Sequence, residues 1–501
     1  MNFRNLALVL LVALLGASAL AFGSVEESAG GWLRLGLLLI AAALVASGAD
    51  RRSLGGATAA LLVPVIAVVA LGWFQSIPVP NSVIGALSPH WAGLRSDVVP
   101  GNDADALPRF LASRAIAQGA SLQPGESMPH VAAVPHPVDG GRALSVAPRS
   151  TRRALLSWIT AALGLACAAV LARRPVDLYT LLWALAGWSG VLGAIAIVAR
   201  VSGTTSLLGL RKAPAGATVL GPFVNPNHFA AFVEVGVLVA FGLLFAILSP
   251  SDGRVTRVSI RRALVDREWA LPRLVLLGGC VVLGLVGLVL SRSRAGSAAF
   301  AIGFLSLLAV RRLKGRFAVV VVAAVCVGLA VGLVSWAGAR DEGSSATPFV
   351  ATSIDPSLAQ RWDIWGRTLR IVRDFPIVGA GLGTFSYAYA GYDRPGEWLD
   401  TAQAHNDYLQ FVAETGLLGA IVLAGAVIVF LRRVLLPITR ATTPFRWTTA
   451  GCLGAVLAIL VHTVFDFSLQ IPAVALEFAV TLGLLTAIAT GVSDSLSESE
   501  E

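Results

Sequence analysis

The chain has 501 residues, of which 56% are hydrophobic and 13% are charged, and its mean hydropathy is +0.77. Soluble proteins carry about 25% charged residues, so this composition excludes an ordinary soluble protein, a disordered chain and collagen. The net charge of +9 is high, but membrane topology explains basic residues in so apolar a chain before nucleic-acid binding does. The composition predicts a membrane protein whose surroundings are a lipid bilayer, with no nucleic acid as partner.

Apolar segments long enough to cross a bilayer, about 20 residues each, recur along the chain. In order, they run approximately from Asn5 to Phe22, Trp32 to Ala49, Ala57 to Phe74, Ala154 to Leu171, Leu178 to Val201, Phe229 to Leu248, Leu274 to Leu290, Ser297 to Val310, Phe317 to Trp336, Leu417 to Leu431, Gly451 to Phe465 and Val474 to Val492. The segments near Ser297 and Gly451 are short or polar enough to be half-buried instead. The sequence predicts an all-α polytopic membrane protein of about 12 transmembrane helices, forming a single integral membrane domain over residues 1–501.

Basic residues give an independent prediction of orientation, because short cytoplasmic loops retain Lys and Arg. Every second connection is basic, at Arg51 and Arg52, Arg173 and Arg174, residues 254–273, residues 311–316 and residues 432–440. Both termini are therefore predicted to lie inside. The first segment also resembles a secretory signal, with Arg4 before it and Ala17-Ser18-Ala19 near its end. We favour an uncleaved span, and cleavage would leave the remaining topology unchanged.

Two long connections are predicted on the external side of the membrane. The first, residues 75–153 between spans 3 and 4, is rich in Pro, Ala and Ser and has a candidate helix from Ala106 to Gln118. It contains Asp103-Ala104-Asp105, a spacing found at the metal sites of some sugar transferases. So short a match is more often a solvated acidic turn, so we expect no metal site.

The second long connection, residues 337–416, contains a predicted amphipathic helix. Asp355 and Pro356 suit its start, and it should end before Pro376. Apolar residues recur at helical spacing, at Leu358, Trp362, Trp365, Leu369 and Val372. Arg361 lies at the edge of this stripe, where it can reach inward. The opposite face carries Asp363, Arg367, Arg370 and Asp374.

Polar groups gather near the predicted external ends of the spans. Gly379, Gly381 and Gly383 predict a flexible turn whose backbone could approach a ligand. A lone histidine such as His405 is more often a structural hydrogen bonder, but its neighbours favour a site. These neighbours are Asn406, Asp407, Tyr408, Leu409, Glu414 and Gly416.

Further candidates lie at the ends of three other spans. Asn225, Asn227 and His228 open one span, and Arg292 and Arg294 occupy a tight turn between two others. Arginines on the outer face oppose the positive-inside rule, which favours anion binding over simple snorkelling to lipid head groups. Two more candidates, His462 and Asp466, lie near the end of a later span. Because they are four residues apart, they would share one helix face.

Taken in their order along the chain, these motifs resemble those of the bacterial O-antigen ligase and polymerase superfamily. The resemblance covers roughly Leu208 to Pro472 at the level of motifs, so the catalytic region is expected over residues 208–472, including the 337–416 loop. It implies a glycosyltransferase of the bacterial inner membrane, with its active site facing the periplasm. The donor would be a glycan on undecaprenyl diphosphate.

The resemblance also implies roles for individual residues. The donor diphosphate would be held by Arg292, Arg294 and Arg361, and His405 would be the base. Substrate contacts are expected from Asn225, Asn227, His228, Asn406 and Tyr408, with support from His462 and Asp466. Glu414 or Asp407 would serve as the base if His405 only orients substrate. Ligases of the superfamily use neither nucleotide nor metal, so no cofactor is expected.

The residues alone are consistent with this chemistry. Cleavage of the sugar–diphosphate bond develops negative charge on the leaving group, which the planar guanidinium of arginine binds in pairs of hydrogen bonds. A neutral histidine can accept the proton of the attacking hydroxyl. The acceptor remains open: lipid A core would make the protein an O-antigen ligase, whereas another glycan would make it an O-antigen or exopolysaccharide polymerase.

A transporter or lipid flippase is the alternative from a different class, since about twelve spans with basic inner loops suit it equally. Transporters usually show internal repeats and ionisable groups near the midplane. Here the polar motifs gather at the predicted external ends of the spans instead, which favours the enzyme.

Overall fold

The computed structural model describes residues 2–49, 51–98, 142–204, 206–212, 220–248, 269–312, 358–392, 402–440 and 446–497. Almost all regular structure in these ranges is helical, as predicted for an all-α polytopic membrane protein. The helices of the first half are α1 (Phe3–Leu20), α2 (Glu27–Ala46), α3 (Arg51–Leu54), α4 (Gly56–Ser76), α5 (Asn81–Leu87), α6 (Pro89–Val98), α7 (Pro148–Ala172), α8 (Pro175–Ser202) and α9 (Pro226–Leu248).

The helices of the second half are α10 (Ala270–Ser291), α11 (Arg294–Arg312), α12 (Leu358–Asp374), α13 (Phe385–Tyr389), α14 (Asp407–Phe430), α15 (Leu436–Arg440), α16 (Arg446–His462) and α17 (Pro472–Ser497). A π-helical segment, Leu431–Leu435, joins α14 to α15. Short 3₁₀ turns occur at Phe22–Ser24, Ala390–Tyr392 and Ser468–Gln470.

The helices match the predicted spans closely. Nine described helices are long and apolar enough to cross a membrane, and two shorter apolar helices, Arg294–Ala309 and Arg446–His462, accompany them. Together they account for eleven of the twelve predicted segments. The twelfth, Phe317 to Trp336, lies outside the described residues, as do Asp103, Asp105 and the candidate helix at 106–118.

One predicted span has an additional helical segment before it. The span expected from Leu417 begins directly after a break in α14 at Gly416, and a helical segment from Asp407 precedes that break. The polar residues that precede Leu417 resemble a loop in sequence, but they form the first turns of α14 and are satisfied by neighbouring segments of the protein. The polar motif therefore belongs to a helix and is held rigidly.

Helix α9 lies at the centre of the bundle and packs against α8, α10, α11, α16 and α17. Glycines allow the close approach that association of membrane helices requires. Gly242 of α9 faces Gly451 of α16, and Gly303 of α11 faces Gly454 of the same helix; a Cβ at any of these positions would come within 3.0 Å of the facing helix. The tight packing fixes the start of α9 against the end of α16, where the polar residues gather.

Two short antiparallel ladders complete the regular structure. Strand β1 (Pro78–Val79) pairs with β2 (Arg142–Ala143), and β3 (Ser206–Leu207) pairs with β4 (Arg211–Lys212). The first ladder brings the chain that follows β2 back to the end of α4, where the Ser145 N–H donates to the Gln75 carbonyl over 2.9 Å.

Candidate active site

A buried carboxylate lies between two histidines at the end of the bundle where α9, α14 and α17 begin. The Asp466 Oδ2 atom is 3.6 Å from Nε2 of His228, and its Oδ1 atom is 3.4 Å from Nδ1 of His405. Both imidazole rings stand edge-on to Phe467, with centroid distances of 4.7 and 4.9 Å. These three polar residues, named the Asp466 cluster below, come from three chain segments distant in sequence.

The expected placement of Asp466 is wrong in one respect. Helix α16 ends at His462, so Asp466 does not share a helix face with it. Asp466 instead lies in the connection to α17, which Asp407 holds by accepting hydrogen bonds from the Leu469 N–H and the Gln470 side chain.

The charge of Asp466 follows from its neighbours. Burial would raise the pKa of this carboxyl, but electrostatic attraction to His228 and to the nearby His405 outweighs burial and holds the pKa well below its usual range. The resulting stabilisation is fully present above the unfolded pKa, about 3.9, and is lost only as pH falls through the lower folded value. At neutral pH Asp466 is therefore a fixed negative charge between two rings.

His405 is held in an uncommon backbone conformation, with φ of 50°. Asn406 on one side caps α14 by accepting a backbone N–H of its first turn over 2.9 Å. Ala404 on the other side accepts a hydrogen bond from Nε1 of Trp365 and donates its N–H to Gln410, both over 2.9 Å. The chain is thus fixed on both sides of His405, and the side chain is 12% exposed.

A second buried pair lies beside the Asp466 cluster. Nδ1 of His462 is 3.1 Å from Oε1 of Glu234, and both side chains are fully buried. Glu234 is six residues into α9 from His228, on the order of 9 Å deeper in the bundle. Glu477 of α17, also fully buried, lies within electrostatic range of Glu234. Sequence reasoning missed Glu234 and Glu477, although an isolated acid inside an apolar span is itself a signal.

The three predicted arginines belong to segments that lie near His462. Arg361 of α12 is only 8% exposed and lies within electrostatic range of His462. Arg292 ends α10 with φ of 54°, and Arg294 begins α11; both side chains are exposed. Their turn packs on the site, because a Cβ at Gly296 would lie 3.2 Å from Cε1 of His462. One buried and two exposed cations therefore lie on the same side of the protein.

Helix α12 is amphipathic, but its buried face differs from the predicted one. Arg361 is buried as expected, whereas Arg367, expected on the opposite face, is also buried at 4% exposure and pairs with Asp363 over 2.5 Å. Trp362 and Leu369 of the predicted stripe are 48% and 57% exposed. The buried face of α12 contains the residues that pack against α14 and Phe465, and the apolar pattern alone does not reveal it.

The glycine turn is rigid, which contradicts the expected flexible ligand loop. Helix α14 is broken at Gly416, with φ of 63° and ψ of −157°. The break frees backbone groups that the turn satisfies: Ala380 and Gly381 donate to the carbonyls of Ala413 and Glu414 over 3.0 Å. A Cβ at Gly379 would lie 2.2 Å from the Glu414 carbonyl carbon, so the close approach is to α14 itself.

Glu414 holds this turn with its side chain. Its carboxylate accepts the N–H groups of Gly383 (2.7 Å) and Phe385 (3.2 Å) and the amide of Gln410 (3.1 Å). Gln75 at the end of α4, which sequence reasoning missed, donates to two carbonyls of the turn region and accepts the Leu382 N–H. The observed contacts of Glu414 are those of a residue that positions the turn.

The remaining predicted residues lie in the frame of the site. Asn225 accepts the N–H of Asn227 over 2.8 Å at the start of α9, and both are buried. Tyr408 donates its hydroxyl to the Leu460 carbonyl of α16 over 2.7 Å. These bonds tie the starts of α9 and α14 to their surroundings and so fix the positions of His228 and His405.

Substituting Gly416 by alanine should sharply lower the amount of protein in the membrane. Its backbone conformation costs a non-glycine residue about 1–3 kcal/mol, and the new Cβ would lie 2.5 Å from the Ile377 carbonyl oxygen. Gly425→Ala in the same helix is the matched control, since a Cβ there meets nothing within 4 Å. Equal membrane levels of both variants, measured by quantitative immunoblot, would contradict the role of the break.

Comparison with protein families gives a match over part of the chain. A family model described as O-antigen ligase matches residues 279–424, from within α10 to within α14. The matched region contains Arg292, Arg294, Arg361, His405 and Glu414, whereas His228 and Asp466 lie outside it. No curated protein matches the chain.

Proposed function

The O-antigen ligase match at residues 279–424 confirms the resemblance of this membrane protein to the O-antigen ligase and polymerase superfamily, and we propose that it is an O-antigen ligase. In this proposal it transfers a glycan from undecaprenyl diphosphate to a hydroxyl of the lipid A core, at the periplasmic face of the inner membrane. The proposal is carried by the Asp466 cluster together with buried Arg361, which lies within electrostatic range of the neighbouring His462.

The donor is held through its diphosphate. Arg361 lies inside the site, where exclusion of water strengthens its attraction for an anion. Arg292 and Arg294, exposed in the adjoining turn, are free to reach the phosphates from the bilayer surface. As the bond from the anomeric carbon to the diphosphate oxygen breaks, negative charge develops on the leaving group, and the paired N–H groups of arginine stabilise it.

The acceptor is activated at His405. Neutral His405 takes the proton of the acceptor hydroxyl while the hydroxyl oxygen forms its bond to the anomeric carbon, and the proton passes later to water. Asp466 orients the ring and stabilises the imidazolium that forms, as carboxylates do for catalytic histidines. His228 shares the same carboxylate and helps to keep it ionised.

Glu234 and His462 support this site from below. The carboxylate of Glu234 fixes the ring of His462 at Nδ1. His462 also lies close to Gly296, two residues after Arg294. Glu414 positions the glycine turn in our proposal, so it acts on catalysis only through the shape of the site. Asn225, Asn227, Asn406 and Tyr408 fix the backbone that presents the histidines, and contact with substrate remains a prediction for each.

The side chain at position 361 should decide whether the donor binds. Arg361→Ala should lower transfer about 10²–10³-fold, because one preorganised donor to a developing anion contributes that much. Arg361→Lys retains the charge but lacks the planar pair of N–H groups, so its activity should lie between that of the unchanged protein and that of Arg361→Ala. Arg370→Ala on the exposed face of α12 is the matched control and should retain activity. Equal activity of Arg361→Ala and Arg370→Ala would contradict the assignment.

The lipopolysaccharide and carrier-linked glycan of a strain that lacks the protein test the identity of the acceptor. In that strain, a ligase predicts bare lipid A core on a lipopolysaccharide gel, with full-length glycan stranded on the carrier. Core capped by one repeat, without long chains, would instead identify a polymerase. Unchanged lipopolysaccharide and carrier-linked glycan would contradict both.

A further inference from the structure

The end of the bundle opposite the Asp466 cluster has two adjoining concave spaces lined by arginines. Their volumes are about 340 and 430 Å³, and they share Arg4, Ser53 and Arg174. Arg52 and Arg173 complete the basic wall of the first space. Among the described residues that line either space, four are arginines and none is acidic. We call this region the arginine basin.

One arginine of the basin is locked in place. Nε of Arg4 donates to Asp177 over 2.8 Å, and its Nη2 donates to the carbonyls of Val170 and Leu171 over 3.1 and 2.8 Å. These carbonyls belong to the last turn of α7, where helix carbonyls have no partner within the helix. Arg4 thus joins α1, α7 and α8 and forms a rigid floor, with its charge balanced by Asp177.

Two other arginines of the basin, Arg52 and Arg174, have exposed side chains. Arg52 lies on α3 and Arg174 precedes α8. Among the described residues, no carboxylate pairs with Arg52 or Arg174. The starts of α1 and α8 and the ends of α2 and α7 meet in this region, so their helix dipoles offset one another and the arginine side chains carry the excess charge. The basin therefore presents an excess of positive charge that suits a phosphate.

Apolar side chains adjoin the basin, which distinguishes its ligand from free phosphate. Phe3, which lines the second space, is 56% exposed; Val45, which precedes the lining residue Ala46 in sequence, is 70% exposed; and Val176, two residues after Arg174, is 76% exposed. These residues lie at the ends of α1, α2 and α8, which we expect at the boundary between hydrocarbon and head groups because each helix is long enough to span a bilayer. A ligand with a phosphate and hydrocarbon chains matches both surfaces.

We propose that the arginine basin binds the head group of an anionic phospholipid from the leaflet predicted to be cytoplasmic. Its phosphate contacts Arg52 and Arg174 above the fixed Arg4, and its acyl chains lie along Phe3, Val45 and Val176. Basic pockets between membrane helices commonly recognise such head groups. The site is at the far end of the bundle from the Asp466 cluster, so it does not depend on the proposed glycan transfer.

Native mass spectrometry of the full-length protein in detergent tests the proposal. Phosphatidylglycerol should remain bound at collision energies that remove phosphatidylethanolamine. The double variant Arg52→Ala, Arg174→Ala should bind phosphatidylglycerol about 30-fold more weakly, since each basic residue at the surface contributes about 1 kcal/mol. Both side chains are exposed, and each single variant should show part of the loss if the double variant accumulates poorly.

The matched control is Arg432→Ala, Arg433→Ala, which removes two exposed arginines from the same end of the bundle outside the basin. This variant should bind phosphatidylglycerol as the unchanged protein does. Equal loss in both double variants, or equal retention of both lipids, would overturn the proposal. Complete displacement of phosphatidylglycerol by millimolar inorganic phosphate would identify free phosphate as the ligand and would also overturn it.

Discussion

His405→Ala should lower glycan transfer about 10²–10⁴-fold, the range expected for loss of a general base, while the protein still accumulates in the membrane. His405 is 12% exposed and its Nδ1 atom lies 3.4 Å from Asp466. It thus combines access to substrate with a carboxylate that stabilises the protonated ring. The measurement is the rate of transfer per unit of membrane protein, with lipid-linked glycan supplied in excess.

His90 provides the matched control for this prediction. It lies on α6, and its Nε2 atom is 3.9 Å from Asp374, so it is also a histidine beside a carboxylate. It does not belong to the Asp466 cluster, and His90→Ala should retain near-normal transfer. Normal transfer by His405→Ala would remove His405 as the base and would leave His228 as the histidine of the cluster to test.

Asp466→Asn should lower transfer about 10⁴-fold, because an asparagine neither stabilises an imidazolium nor fixes the ring in the required tautomer. The substitution conserves shape at a fully buried position. It also removes a charge that neighbouring histidines stabilise, so the variant should unfold at a lower temperature. Transfer and thermal unfolding in detergent measure the two effects separately.

In the unchanged protein, Asp466 makes no contribution to pH dependence near neutrality. The pKa of Asp466 lies below its usual range, so the carboxylate is ionised at pH 6 and at pH 8 alike. Titration of Asp466 itself therefore adds nothing to stability differences between these pH values. Asp374→Asn is the control, since its carboxylate accepts a hydrogen bond from Tyr392 and lies near His90. Equal transfer by the two asparagine variants would contradict the role of Asp466.

The sequence predicts the helices well because a membrane span is a local property. Each span is an uninterrupted apolar segment, so eleven of the twelve predicted segments coincide with described apolar helices. The helical segment of α14 before the break at Gly416 was missed because its residues include many polar side chains. Their groups are satisfied by other parts of the chain, as when Asp407 accepts the Leu469 N–H, and no local pattern reveals such distant partners.

The sequence also identifies most of the candidate site. His228, Arg361, His405 and Asp466 are predicted residues that the structure places in or beside one cluster. Glu234 was missed because a single acid in an apolar span gives no indication of its partner.

The flexible glycine turn was wrongly predicted for a related reason. Glycine permits a close approach, but the spacing of glycines does not show whether the approaching group is a ligand or the chain itself. Here the group is the broken helix at Gly416.

Reconstituted transfer tests the central claim most directly. Purified protein would be incubated with glycan-linked undecaprenyl diphosphate and lipid A core, with no nucleotide and with a metal chelator present. We expect glycosylated lipid A core and free undecaprenyl diphosphate in equal amounts, and neither product from Arg361→Ala or His405→Ala. Absence of product from the unchanged protein, or product that appears only after a nucleotide or metal is added, would contradict the proposed ligase.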